Sequence, residues 1–143
     1  MTKRILAPIS AEERSEAVVP LVAALARETG ATVRLLRVFP IPERIVGEHG
    51  RTVAYVDQEM ARLTSEGLED LARVETSLPG VPVERVVRFG DPEEEILVEA
   101  EVFGADLIAL TAARRGRLLS VLAPDVAERV VEKSPIPAVV LRG

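Results

Sequence analysis

The residues best suited to chemistry are Arg114, Arg115 and Arg117, inside the run Thr111 to Asp125, which follows an apolar stretch and opens onto the helical pattern Val126-Ala127-Glu128-Arg129-Val130-Val131. In a parallel α/β protein the turn between a strand and the next helix is where phosphate is commonly held, by bare backbone N–H groups and the positive end of the helix dipole. This run offers something else. Pro124 has no N–H to give, and Asp125 with Glu128 three residues on has the spacing of a capping box, which aims the protein's own carboxylate at the free amides of the first turn. A carboxylate about 4 Å from a phosphate oxygen costs roughly 4 kcal/mol at an effective dielectric of about 20, worth several powers of ten in affinity. Against that stand the three arginines, whose forked guanidinium groups can grip an anion without help from the backbone. Charged loops are usually solvated, and pairing of these arginines with Asp91, Glu93 or Asp125 is the plainer expectation.

The other chemical candidates are weaker. Gly90-Asp91-Pro92 ends a strand and could line a ligand, but an aspartate before a proline is a good helix N-cap, and Glu93 to Glu95 then complement the dipole. Three consecutive glutamates on a helix point in different directions, so they suit solvation and not a shared metal ion. His49 is the sole histidine and lies in a stretch of little periodicity without a partner of the right type. Ser10, Ser15 and Ser120 have no nucleophile-elbow context, so no hydrolase triad is indicated.

These residues must be positioned by alternating strands and helices. Arg4 to Ile9 reads as a buried strand, Ser15 to Thr29 as a helix stopped by Gly30, and Thr32 to Val38 as a second strand followed by Pro40 and Pro42. A loosely patterned connection over Ile41 to Thr52, expected to be the most mobile part, leads to a mostly polar helix from Val53 to about Val74. Val83 to Arg88 is a third strand, Pro92 to Phe103 a helix, Leu107 to Thr111 a fourth strand, Val126 to Lys133 a helix and Ala138 to Leu141 a closing strand. This alternation predicts a doubly wound, five-stranded parallel sheet in the order 3-2-1-4-5, with ligands beyond the carboxyl ends of the strands where the winding reverses, between the first and fourth.

With 143 residues, 48% apolar, the chain is expected to be a single domain spanning 1–143, able to bury roughly two-thirds of its unfolded surface. Zero cysteines exclude disulfides and thiol catalysis, and a net charge of -5 disfavours nucleic acid as a partner. No apolar run is long enough to span a membrane, and the start Met1-Thr2-Lys3-Arg4 leads directly into a strand, so a cytoplasmic location is expected.

Three segments together resemble the universal stress protein family: Ile5-Leu6-Ala7-Pro8 with Ser15-Glu16, then Phe89-Gly90-Asp91-Pro92-Glu93-Glu94-Glu95-Ile96-Leu97, and Gly104-Ala105-Asp106-Leu107-Ile108-Ala109-Leu110 continuing to Val126-Ala127-Glu128-Arg129-Val130. The resemblance implies a flavodoxin-like, adenine nucleotide alpha hydrolase-like fold, commonly dimeric, with some members binding ATP and others not. The binders carry glycine, two residues, glycine, nine residues, glycine and a hydroxyl residue after the fourth strand. Here those positions hold Thr111, Arg114, Pro124 and Asp125, and Gly116 is out of register. Only Arg115 matches, as the arginine after the second glycine. The aspartate that ATP-binding members place after the first strand is Ser10.

The expectation is therefore a regulatory or interaction module with a degenerate nucleotide motif, no catalysis and no required cofactor. The alternative is a sensor of ATP, AMP or another anion, with magnesium as a companion ion, in which Arg114, Arg115 and Arg117 replace the missing amides and Pro8 and Val38 wall the base. Ser10, Gly90, Thr111, Pro124 and Asp125 complete the candidate cleft. The apolar terminal strand Ala138 to Leu141 predicts a homodimer, because an uncovered edge of this kind invites uncontrolled association. An unidentified protein partner is the further expectation.

Overall fold

The computed structural model describes residues 3–10, 17–42, 52–112 and 126–142. Five parallel strands, β1 (Arg4–Pro8), β2 (Thr32–Phe39), β3 (Val83–Phe89), β4 (Leu107–Ala112) and β5 (Ala138–Arg142), form one sheet in the order β3-β2-β1-β4-β5. The helices α1 (Val19–Thr29), α2 (Thr52–Glu75), α3 (Pro92–Phe103) and α4 (Val126–Lys133) connect them in turn. This is the doubly wound, flavodoxin-like arrangement with the expected strand order.

Strand alternation sorts the core into two layers. Ile5, Ala7, Val33, Leu35 and Ala109 pack with Val19, Val22, Ala26, Leu71 and Val74 of α1 and α2. Leu6, Leu36, Ile108 and Leu110 point the other way, onto Ile96, Ala100 and Phe103 of α3 and Ala127 and Val130 of α4. Both faces are thus covered, which is why the strands read as nearly continuous apolar runs.

The ends of several elements differ from the sequence expectation. β1 closes at Pro8 instead of Ile9: Pro8 brings no N–H to the ladder, although the Ile9 N–H still donates to the Leu36 carbonyl at 2.7 Å. α1 begins at Val19 after a tighter turn at Ala17 and Val18, because Pro20 fits only the first turn, where its missing N–H is not needed. The expected start at Ser15 lies outside the described residues. β2, β3, β4 and β5 each run one residue further than expected, to Phe39, Phe89, Ala112 and Arg142, since ladder pairing continues to Phe39↔Phe89 and Ala112↔Arg142.

α2 closes on the sheet through Gly67. A Cβ there would lie 2.8 Å from Phe39 Cε2 and 3.0 Å from Val87 Cγ2, so the helix approaches the stacked Phe39–Phe89 rings as near as a bare backbone allows. Phe39 is the last residue of β2, so the turns of α2 before Gly67 run past the carboxyl edge of the sheet.

Candidate functional site

The register places several candidate residues at one edge. Pro8 pairs with Leu36 and Val38 with Arg88, so Pro8, Ser10 and Val38 fall within two residue levels of each other at the carboxyl ends of β1 and β2. Gly90 follows at the end of β3, its N–H donating to the Phe39 carbonyl at 2.9 Å, and Thr111 stands near the end of β4, paired with Leu141. Pro8 and Val38 are half-buried and share the α3–α4 side of the sheet, while Thr111, next to Leu110 on the strand, points to the other side. The winding reverses between β1 and β4, so these residues flank the crevice where doubly wound sheets take ligands. Arg114, Arg115, Arg117, Pro124 and Asp125, together with Ser15, His49 and Ser120, lie outside the described residues, so the expected capping of α4 by Asp125 does too.

The turn at Gly90 has a precise local cause. Its φ is 144°, and a Cβ would meet Glu95 Cγ at 3.1 Å, so only glycine fits between the strand end and the helix start. Asp91 then caps α3, its Oδ2 accepting the Glu94 N–H at 3.1 Å, with Pro92 in the first turn, as its sequence context predicts. Asp91 is therefore committed to the helix.

The glutamates of α3 do not behave as a solvated run. Glu95 accepts from Arg88 Nε at 2.8 Å, and Glu99, 2% exposed, receives both Arg88 Nη1 at 3.0 Å and Arg34 Nη1. Arg34 also donates to Glu84 at 2.7 Å and lies 4.1 Å from the Phe103 ring centroid. Glu93 is buried as well, and accepts from Lys133 at 2.6 Å and Arg129 at 3.5 Å. Among the described residues its cations are thus the two of α4, whereas the sequence had suggested the arginines near 115. The expectation of solvation is corrected: Glu93 and Glu95 face inward because α3 is packed along charged positions of β2, β3 and α4. The Glu95 and Glu99 carboxylates raise the Arg88 pKa above the usual value, and although burial lowers that of Arg34, the hydrogen bonds it donates to Glu99 and Glu84 outweigh this and raise it too.

Sequence reasoning missed this network. Its signal was present as Arg34 and Arg37 interrupting the apolar run of β2, but the register that sets Arg34 opposite Glu84 is a tertiary fact. Arg37, 7% exposed, points to the opposite layer, where it donates to Asp70 of α2 at 3.3 Å and lies 4.8 Å from the Phe39 ring centroid. Among the described residues no group of three or more histidines or carboxylates could hold a metal ion, and no helix is long and apolar enough to cross a membrane.

The universal stress protein family model matches residues 1–142. The chain belongs to the universal stress protein family. It is 29% identical over 157 residues to universal stress protein MJ0577 of Methanocaldococcus jannaschii, covering 99% of this chain and 96% of that protein. The solved structure of MJ0577 superposes with a TM-score of 0.82 at 28% identity, covering 100% of this chain and 97% of the other. Universal stress protein UspA from Lactobacillus plantarum has a TM-score of 0.73 at 22% identity, over 99% of this chain and 98% of its own. A universal stress protein solved in complex with cAMP gives 0.70 at 11% identity, over 99% and 97%. Within this family fold, Gly104-Ala105-Asp106 has a structural role: Asp106 Oδ2 accepts the N–H groups of Lys3 at 2.8 Å and Arg4 at 3.0 Å, tying the start of β4 to the start of β1.

Pro8 and Val38 give the crevice a half-buried apolar surface on the α3–α4 side of the sheet, and Pro124 and Asp125 lie outside the described residues.

Proposed function

We propose that this universal stress protein is a cytoplasmic, homodimeric regulatory module that acts by protein interaction, without efficient ATP binding and without catalysis. The single observation behind the reading is Pro124-Asp125 at the positions where the family's ATP-binding members carry a glycine and a hydroxyl residue, which removes a backbone donor and adds a negative charge. The dimer reading draws on the composition of the sheet's two edges: β3 carries Glu84, Arg85 and Arg88, whereas Val139 and Leu141 of β5 are apolar and each 36% exposed.

Calorimetry with ATP, AMP and cyclic AMP in the presence of magnesium tests it. No binding in the micromolar range is expected for ATP. Micromolar ATP affinity abolished by Arg115→Ala would overturn this reading and establish its rival.

That rival is a sensor of an adenine nucleotide or another small anion, gripped by Arg114, Arg115 and Arg117. It is favoured by the apolar wall of Pro8 and Val38 and by the cAMP complex of a protein sharing the fold. A nucleotide carrying one phosphate asks less of the α4 amides than a triphosphate does. The rival therefore predicts AMP or cyclic AMP binding with ATP weaker, an order the same calorimetry reads directly.

A further inference from the structure

The charged groups on the two sides of the sheet are matched differently. On the α3 side each arginine of the network reaches two carboxylates, Arg88 at 2.8 and 3.0 Å and Arg34 through Glu84 and Glu99. On the α1–α2 side the proportion is reversed: Arg37 and Arg73 converge on one carboxylate, Asp70, at 3.3 and 3.4 Å. Arg73 stands in solvent, its side chain 69% exposed, whereas that of Arg37 is 9% exposed. A buried cation short of acceptors is unfavourable, because water no longer serves the donors left idle.

A guanidinium group has five N–H donors. Among the described residues Arg37 uses one of them, on Asp70 Oδ2, and at 3.3 Å that bond is long. The Phe39 ring, with its centroid 4.8 Å from the guanidinium carbon, eases the charge but supplies no oxygen. Arg37 stands two residues before the end of β2, opposite Val87 of β3. Pro8 pairs with Leu36, so Ile9 comes beside Arg37, and its N–H donates to the Leu36 carbonyl at 2.7 Å. The guanidinium therefore belongs to the carboxyl edge of the sheet, where doubly wound folds take ligands, but on the face opposite to Pro8 and Val38.

We propose that Arg37 is the recognition residue of an anion site on the α1–α2 side of the sheet, and that its ligand is a small carboxylate. The fork of a guanidinium matches the two oxygens of a carboxylate, so one ligand takes up two of the idle donors. Two arginines and one aspartate leave a single positive charge here, which one carboxylate neutralises and a doubly charged phosphate exceeds. Burial of Arg37 restricts the ligand to a few atoms. The site goes beyond the interaction reading, does not depend on it, and uses no residue of the nucleotide crevice.

The experiment titrates the full chain, labelled with nitrogen-15, with sodium acetate, and in parallel with sodium phosphate and sodium chloride at matched ionic strength. The expected result is saturable movement of the Arg37 side-chain Nε–H and of the backbone amides of Phe39 and Asp70 with acetate, weaker with phosphate and absent with chloride. Arg37→Lys, which keeps the charge and loses the fork, should weaken acetate binding about tenfold while the rest of the spectrum keeps its pattern. Asp70→Asn separates a ligand site from a purely structural pair: with the competing carboxylate gone, acetate should bind about tenfold more tightly. Acetate binding left unchanged or weakened by Asp70→Asn would overturn the proposal, since Arg37 would then serve only to pair with α2. Equal movement with chloride would reduce the effect to ionic strength, and tighter binding of phosphate would assign the site to another anion; either overturns the carboxylate site, as does the lack of any response to acetate. The ATP calorimetry tests the interaction reading separately.

Discussion

At the scale of single residues, the proposed loss of ATP binding rests on Pro124 and Asp125. If a missing donor and an added carboxylate are what weaken phosphate binding, replacing them restores it. Arg114→Gly, Pro124→Gly and Asp125→Ser combined should raise ATP affinity at least about tenfold, since each glycine frees the backbone for close approach and the serine removes a like charge. Calorimetry of the triple variant against the parent checks this, and unchanged affinity would show that the loss has another origin. Asp91 shows how a residue's context makes it readable: an aspartate before proline and three glutamates has one favourable local use, and it caps α3. Glu93, Glu95 and Glu99 show the opposite. Nothing local distinguishes an inward glutamate from an outward one on a helix; Arg88, Arg34 and Lys133, brought from other elements, decide it.

At the scale of elements, two contacts set how strands and helices meet. Gly67 costs α2 about 1 kcal/mol of helix propensity relative to alanine, yet a methyl there would press on the buried Phe39 ring at 2.8 Å. Gly67→Ala is therefore expected to lose about 1 kcal/mol net in urea denaturation, as overpacking exceeds the propensity gain. Adding Phe39→Leu should make room, so the double variant loses less than the sum of the two singles, with a coupling of about 1 kcal/mol. Asp106 joins β1 to β4 and gives a pH signature. The N–H groups of Lys3 and Arg4 hold its pKa below the usual aspartate value of about 3.9. A lowered pKa in the folded state stabilises fully above the unfolded value and loses that contribution as pH falls through the folded one. Asp106→Asn should therefore be less stable than the parent at pH about 7, and the gap should narrow only below about pH 4. Denaturation at a series of pH values measures it, and a gap independent of pH would contradict the assignment.

At the scale of the whole molecule, the two edges of the sheet have opposite characters. β3 ends the sheet with the exposed charges of Glu84 and Arg85, the kind of edge that resists pairing, and β5 ends it in Val139, Val140 and Leu141. Two copies pairing through β5 would continue the sheet and cover the exposed valine and leucine. Val139→Lys with Leu141→Lys should leave the fold intact and yield a monomer in sedimentation equilibrium, where the parent is expected to sediment as a dimer. A monomeric parent would remove the dimer from the reading while leaving the crevice chemistry untouched.

What the sequence determined by itself is what depends on periodicity and covalent structure. Alternation of apolar runs and helical stripes specifies which segments are strands and helices, and with right-handed crossovers it leads to the order β3-β2-β1-β4-β5. The absence of an N–H at Pro124 needs no coordinates. Only the tertiary structure decided the pairing of Arg34 with Glu84 and Glu99, the burial of Glu93 and the close approach at Gly67. Each joins residues far apart in the chain. Register and helix placement bring them within a few ångströms, and no local pattern encodes a distance between elements.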